Sequence, residues 1–144
     1  MNSFTDVSNL DFGDVFGTQW FAIRWSDNCL CYHITLKEFF PIVVAIEIWG
    51  NQLRNKCVTF FTDNIAVECT FNKQTLKHKL IMKLVRRFVL LILKYNIFLK
   101  ASHIAGINNA AADHLSRLQM EQFREDFPHM DPKPVVQSME MQRF

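Results

Sequence analysis

Apolar and polar residues alternate in the first part of the chain with the short period typical of strands. The pattern predicts strands over residues 4–7, 14–17 and 19–25, with a tight turn at Gly17-Thr18 between the second and the third. Only five residues precede Asp6. We therefore expect a short first strand, truncated at the N-terminus, in a chain that is cut from a longer protein.

A fourth strand is predicted for the apolar and β-branched run from Cys57 to Asp63, which is typical of a strand buried on both faces. The run stops at the carboxylate of Asp63, and ligands of open α/β sheets bind at this edge. The alternative is that Asp63 caps a short helix predicted over residues 65–71, because Asp is a favoured N-cap residue. A fifth strand is predicted over 97–103.

Helical spacing of apolar residues predicts three longer helices. The first follows the capping-box pattern Thr35-Leu36-Lys37-Glu38 and ends near Gly50. The second covers 80–95, with apolar residues on one side and basic residues on the other. The last covers 110–120.

This order of elements predicts an α/β fold in which an antiparallel meander leads into βαβ crossovers, giving a mixed sheet with helices on both faces. Residues 1–118 are expected to form a single domain. Residues 119–144 contain three of the four prolines of the chain among polar residues. We expect them to form an extended, mobile C-terminal tail.

Four carboxylates lie where these elements begin or end: Asp6, Glu38, Asp63 and Asp113. If the first and fourth strands are neighbours, all four can converge. Two carboxylates about 4 Å apart would repel each other by roughly 4 kcal/mol at an effective dielectric constant of about 20. Oxygen-seeking ions such as Mg²⁺ would relieve this repulsion. Two such ions about 3.5–4 Å apart suit phosphodiester hydrolysis. Taken singly, Glu38 also fits a capping-box partner of Thr35, and Asp113 a solvated acid.

Four segments of the sequence contain these acids together with recurring small and polar residues. They are Thr5-Asp6-Val7-Ser8 with Phe12-Gly13; Leu36-Lys37-Glu38-Phe39 with Ala45; Phe61-Thr62-Asp63-Asn64 with Ala66-Val67; and His103-Ile104-Ala105-Gly106 through Asn109, with Ala112-Asp113 and Leu115-Ser116-Arg117. Over residues 3–118 the chain resembles the type 1 ribonuclease H domain of retroelement reverse transcriptases, DIRS-like or gypsy-like. The fourth segment is the most specific.

The resemblance implies a five-stranded ribonuclease H-like sheet of order 3-2-1-4-5 and hydrolysis of the RNA strand of RNA–DNA hybrids. It implies two Mg²⁺ ions, for which Mn²⁺ can substitute, held by Asp6, Glu38, Asp63 and Asp113. His103 would assist proton transfer or product release, although a lone His at a strand end also fits a structural role. A polymerase domain of the parent polyprotein is the implied partner.

Contacts with the hybrid are expected from small polar residues near the same edge: Ser8, Asn64, Asn72, Gln74 and Asn109. Turn or cap roles fit each of them equally well. A basic stripe that begins just before the second long helix and continues along it could track phosphates or simply be solvated. It consists of Lys77, Lys79, Lys83, Arg86 and Arg87.

One departure from the family pattern is Asp11, which stands where Gly is usual. Asp11 and the short first strand favour an alternative, a catalytically decayed or domesticated fragment that only binds nucleic acid or a polymerase partner. A transposase or integrase of the same superfamily fits less well, because those proteins place a Glu late in the chain rather than on the first helix.

Composition agrees with one domain of ordinary core size: 144 residues, 49% of them hydrophobic, and a net charge of +2. The sequence shows no signal-peptide or membrane-span pattern. Four cysteines without metal-site spacing, of which Cys57 and Cys69 are expected in the core, favour reduced thiols and an intracellular location. No oligomer is implied.

Overall fold

A computed structural model describes residues 1–8, 11–25, 34–63 and 79–135. Within these ranges, the side chains of residues 34–38 and 79–81 lie outside the description. The helix predicted over 65–71 also lies outside the described residues.

The described residues form a mixed sheet of five strands in the order β3-β2-β1-β4-β5. The strands are β1 (Asn2–Val7), β2 (Asp11–Phe16), β3 (Gln19–Arg24), β4 (Cys57–Thr62) and β5 (Phe98–His103). β1 pairs antiparallel with β2 and parallel with β4. The predicted sheet and its strand order are confirmed. β1 has six residues, as many as each of the other four strands, so the expected short first strand is not observed.

Four α-helices occur in the described ranges: α1 (Ile34–Leu53), α2 (Lys79–Tyr95), α3 (Ala110–Ser116) and α4 (Met120–Asp126), with a 3₁₀ turn at Gly106–Asn109 before α3. α1 begins before Thr35, which places Thr35 inside the helix rather than at the predicted N-cap. α1 also continues past Gly50 to Leu53. The ring of Tyr95 occupies the space where a Cβ at residue 50 would stand, so glycine lets α2 pack closely against this turn.

Two separate cores cover the two faces of the sheet. Because strand side chains alternate between faces, Phe12 and Phe16 of β2 join the larger core with α1 and α2. Val15 of the same strand joins the smaller core with Leu115 of α3 and Phe123 of α4. Helices therefore lie on both faces of the sheet, as predicted.

The segment after residue 118 differs from the extended tail that its composition predicts. Residues 120–126 form α4, and Phe123 is only 1% exposed against Trp20. The chain then follows the outer edge of β3, where the Trp20 indole N–H donates to the Asp131 carbonyl at 2.7 Å and the Val135 N–H donates to the Trp20 carbonyl at 3.0 Å. The predicted extended conformation is wrong for residues 120–126, because two aromatic side chains far apart in sequence bury each other. Residues 136–144 lie outside the described ranges.

Two further features bear on the sequence predictions. None of the helices built from described residues combines the length and apolarity needed to cross a bilayer. Cys57, the cysteine that falls within the described ranges, is a free thiol at the start of β4 and is exposed rather than buried in the core as predicted.

Candidate active site at the carboxyl edge of the sheet

Asp6 and Asp63 are placed side by side by the central strands. β1 and β4 run parallel, with Phe4 opposite Phe61. Continuing this register sets Asp6 opposite Asp63, the residue that follows β4. Asp6 is only 5% exposed, whereas Asp63 is exposed at the carboxyl edge. The proximity expected from neighbouring first and fourth strands is therefore present.

Asp113 lies at the same edge because hydrogen bonds at both ends of α3 hold the helix against β1 and against Ser8, the residue that follows β1. Before the helix, the Asn109 side-chain amide donates to the Thr5 carbonyl at 2.9 Å. At its end, the Ser8 hydroxyl donates to the Ser116 carbonyl at 2.5 Å. Asp113 is partly exposed, and the Arg117 guanidinium donates from Nε to its Oδ1 at 2.9 Å.

The charges of Asp63 and Asp113 both act on Asp6. Burial, the largest cause, together with the negative charges of Asp63 and Asp113 raises the pKa of Asp6 from its ordinary 3.8 to about 6. Hydrogen bonds from Ser116 and from the backbone of Val7 oppose this rise in the pKa. A buried acid whose pKa is raised beside other acids marks a candidate functional site.

The donor set suits a hard divalent cation, because carboxylate oxygens are the ligands that Mg²⁺ prefers. Glu38 lies in the first turns of α1, and its side chain is outside the description. Among the side chains that are described, no three His, Cys, Asp or Glu groups stand close enough together to form a ready metal-binding cluster. The fit to a cation therefore rests on the type and mutual repulsion of the three acids.

His103, the last residue of β5, lies near the acids. It is the register partner of Thr62, which directly precedes Asp63. The chain then turns back, the Ile104 N–H donates to the Thr62 carbonyl at 2.9 Å, and a Cβ at Gly106 would stand 3.6 Å from Asp63 Oδ2. His103 is exposed, so its imidazole is open to solvent at the same edge.

The residues predicted to contact a hybrid have different placements. Asn64, Asn72 and Gln74 lie outside the described residues. Asn109 is 2% exposed, and the Ser8 hydroxyl contacts the backbone of α3. Asn109 is therefore buried against β1 in a structural role. Its burial does not support the expected contact with substrate.

The basic face of α2 is only partly available for phosphates. Lys83 and Arg86 are exposed. Arg87 instead forms an ion pair with Glu47 of α1. The side chain of Lys79 is not described, and Lys77 lies outside the described residues.

Two features of the site escaped sequence reasoning. Asp11, which departs from the family pattern, is paired across β2 and β3 with Arg24, whose Nε lies 3.2 Å from its Oδ1. Ser116 donates from Oγ to Asp6 Oδ2 at 2.6 Å. The sequence places Ser116 in the fourth acid-containing segment, but nothing in that pattern indicates a contact with Asp6.

Comparison with known proteins bears on the fold. No protein-family model and no curated protein matches the chain. Among solved structures, LC11-RNase H1, isolated from compost by a metagenomic approach and crystallised with an RNA/DNA hybrid, superposes with a TM-score of 0.66 at 13% identity, covering 84% of this chain and 96% of that one.

Two further structures agree. RNase H1 from the halophilic archaeon Halobacterium salinarum gives a TM-score of 0.58 at 15% identity, with 84% of this chain and 97% of that chain covered. The N-terminal RNase H domain of a Mycobacterium tuberculosis protein gives 0.57 at 14% identity, with 87% and 97% covered. The chain therefore has the five-stranded fold of ribonuclease H domains.

Proposed function

We propose that this protein is a metal-dependent endonuclease that hydrolyses the RNA strand of RNA–DNA hybrids. The observation that carries the proposal is the position of Asp6 at the carboxyl edge of the sheet, where burial and the charges of Asp63 and Asp113 raise its pKa. The fold supports it, since a similar protein, LC11-RNase H1, was crystallised with an RNA/DNA hybrid.

Asp6, Asp63, Asp113 and, from the first turns of α1, Glu38 would hold two Mg²⁺ or Mn²⁺ ions. When bound, such ions activate a water molecule and stabilise the leaving oxygen of a phosphodiester. Asp63 is exposed and Asp113 partly exposed, so both are open to a nucleic acid, whereas Asp6 is buried in the sheet. His103 lies at this edge, and imidazole groups carry protons in the physiological pH range.

The hybrid itself presents an A-form-like backbone and 2′-hydroxyl groups rather than readable base edges. Exposed cations at a distance from the acids suit contacts with phosphates along such a duplex. Lys83 and Arg86 on α2 are exposed cations of this kind.

We further propose that the domain is the ribonuclease H portion of a retrotransposon reverse transcriptase, with a polymerase domain as its partner inside the cell. The support is the resemblance of the four acid-containing segments to that class of domain. A reading frame that encodes a polymerase directly upstream would agree with this assignment, and a different upstream domain would contradict it.

The function is tested with a hybrid labelled on its RNA strand, incubated with Mg²⁺ or with EDTA. We expect metal-dependent cutting of the RNA strand of the hybrid and none of double-stranded DNA of the same sequence. Asp63→Asn should abolish cutting. Glu121→Gln, which removes an exposed acid on α4, is the matched control and should cut like the wild type.

A binding-only remnant is the second candidate. It is favoured by the lack of a ready three-residue metal cluster among the described side chains. A hybrid that is bound but left uncut at millimolar Mg²⁺ would support the remnant, while metal-dependent cutting would exclude it.

A further inference from the structure

Ser116, the last residue of α3, is fully buried and lies against a proposed metal-binding acid. Its Oγ is 2.6 Å from Asp6 Oδ2 and 3.0 Å from the Asp113 carbonyl oxygen. A serine hydroxyl has one proton to donate. The contact with the carboxylate is shorter and is strengthened by charge, so the proton is directed to Asp6.

The hydroxyl is held at this place by tight packing. Gly13 is the register partner of Asp6, and a Cβ added to it would stand 2.6 Å from the Cβ of Leu115. The helix therefore sits on β2 at a depth that only glycine permits. The Ser8 hydroxyl in turn fixes the Ser116 carbonyl at 2.5 Å. Ser116 thus has little freedom to move away from the acid.

We infer that Ser116 is a positioning residue, which orients the carboxylate of Asp6 toward Asp63 and Asp113 so that the three bind divalent cations. This inference rests on the proposed function. Groups that hydrogen-bond to a metal-ligating carboxylate typically change metal affinity or activity by about 10–100-fold when they are removed. Ser116 makes no contact with solvent, so it acts through Asp6 and not on the substrate.

Strand β1, which carries Asp6, also offers a matched control. Ser3 of β1 is also buried and donates its hydroxyl to a buried carboxylate, that of Asp14. Because side chains alternate along a strand, Ser3 points to the opposite face from Asp6. Ser3→Ala removes the same kind of hydrogen bond as Ser116→Ala, at a position outside the candidate site.

The test measures Mn²⁺ affinity by titration calorimetry in the wild type and in Ser116→Ala, Ser116→Thr and Ser3→Ala. We expect Ser116→Ala to weaken Mn²⁺ binding by about tenfold or more. The folded fraction of Ser116→Thr should bind Mn²⁺ more tightly than Ser116→Ala, because threonine keeps the hydroxyl. Ser3→Ala should bind Mn²⁺ like the wild type. All affinities refer to the folded fraction measured by circular dichroism.

Hybrid cleavage gives a second reading. In Ser116→Ala the Mg²⁺ concentration for half-maximal cleavage should rise and kcat should fall, with KM for the hybrid unchanged. Wild-type metal affinity in Ser116→Ala, or an equal loss in Ser3→Ala, would overturn the inference. Absence of Mn²⁺ binding by the wild type would overturn it as well. If Mn²⁺ binding depends on Ser116 but the wild type cuts no hybrid, the inference about Ser116 holds and the proposed nuclease activity is refuted.

Discussion

Replacing Asp6 with Asn should make the metal-free protein more stable at neutral pH. Asn has the same shape and keeps an oxygen that can accept the Ser116 hydroxyl, but it carries no charge. Burial and the neighbouring acids raise the pKa of Asp6 from 3.8 to about 6 in the folded protein. Ionised Asp6 is therefore a cost to folding that Asn does not have.

The size of the effect follows from the pKa. Each pKa unit corresponds to about 1.4 kcal/mol, so the rise from 3.8 to about 6 lowers the free energy of unfolding by about 3 kcal/mol once Asp6 is ionised in both states. Below the unfolded pKa the acid is protonated in both states and nothing is lost. The stability advantage of Asp6→Asn should thus be absent below pH 3.8, grow as the pH rises and level off above about 6.

The assay is urea unfolding of both proteins in EDTA, followed by circular dichroism at several pH values from 3.5 to 8. The difference between the two proteins isolates Asp6, because Asp14, whose pKa burial also raises, is common to both.

Asp126→Asn is a control in which the change in stability should have the opposite sign. Hydrogen bonds from Gln122, the largest cause, and from His114 lower the pKa of Asp126, so its replacement should cost stability at neutral pH. Equal stabilities of wild type and Asp6→Asn at pH 7.5, or a difference that does not change with pH, would refute the reasoning.

Four other changes test the packing and the site. Gly13→Ala should lower the free energy of unfolding in urea by about 1–3 kcal/mol, because the added methyl group would collide with Leu115. An unchanged urea midpoint would contradict the close packing of α3 on β2. Phe123→Ala should cost about 3–5 kcal/mol, since its ring is buried against Trp20, and a loss below 1 kcal/mol would mean that α4 is not docked. His103→Ala should lower kcat for hybrid cleavage by about 100-fold with KM unchanged, and full activity would leave this residue a structural role. Millimolar Mg²⁺ should raise the melting temperature of the wild type by relieving repulsion among the acids, and the shift should be lost in Asp6→Asn.

Local sequence signals were sufficient for the strands and for a mixed sheet with helices on both faces. The apolar run that ends at Asp63 predicts both a buried strand and the edge at which it stops, because these features depend on residues close together in the sequence or on rules of chain connection. The position of β1 beside β4, which sets Asp6 opposite Asp63, was implied by the resemblance to ribonuclease H domains and not by the local pattern.

The contacts that sequence reasoning missed join distant residues. Ser116 meets Asp6 across 110 positions of the chain, and Trp20 donates to the Asp131 carbonyl across 111. Neither pair leaves a periodic pattern. The prolines and polar residues around Phe123 resemble a solvated tail, and only the buried partner on β3 shows that the segment is folded. The pairing of Asp11 with Arg24 is likewise set by strand register, which the pattern alone does not specify.

The central claim is that acids from β1, the end of β4 and α3 form one metal-dependent nuclease site. Its most direct test is the rate at which the RNA strand of a labelled RNA–DNA hybrid is cut in Mg²⁺ by the wild type and by Asp63→Asn, at equal folded concentration. We expect strand-specific cutting by the wild type and background rates for the variant. Equal cutting by both proteins, or none by a folded wild type that binds the hybrid, would contradict it.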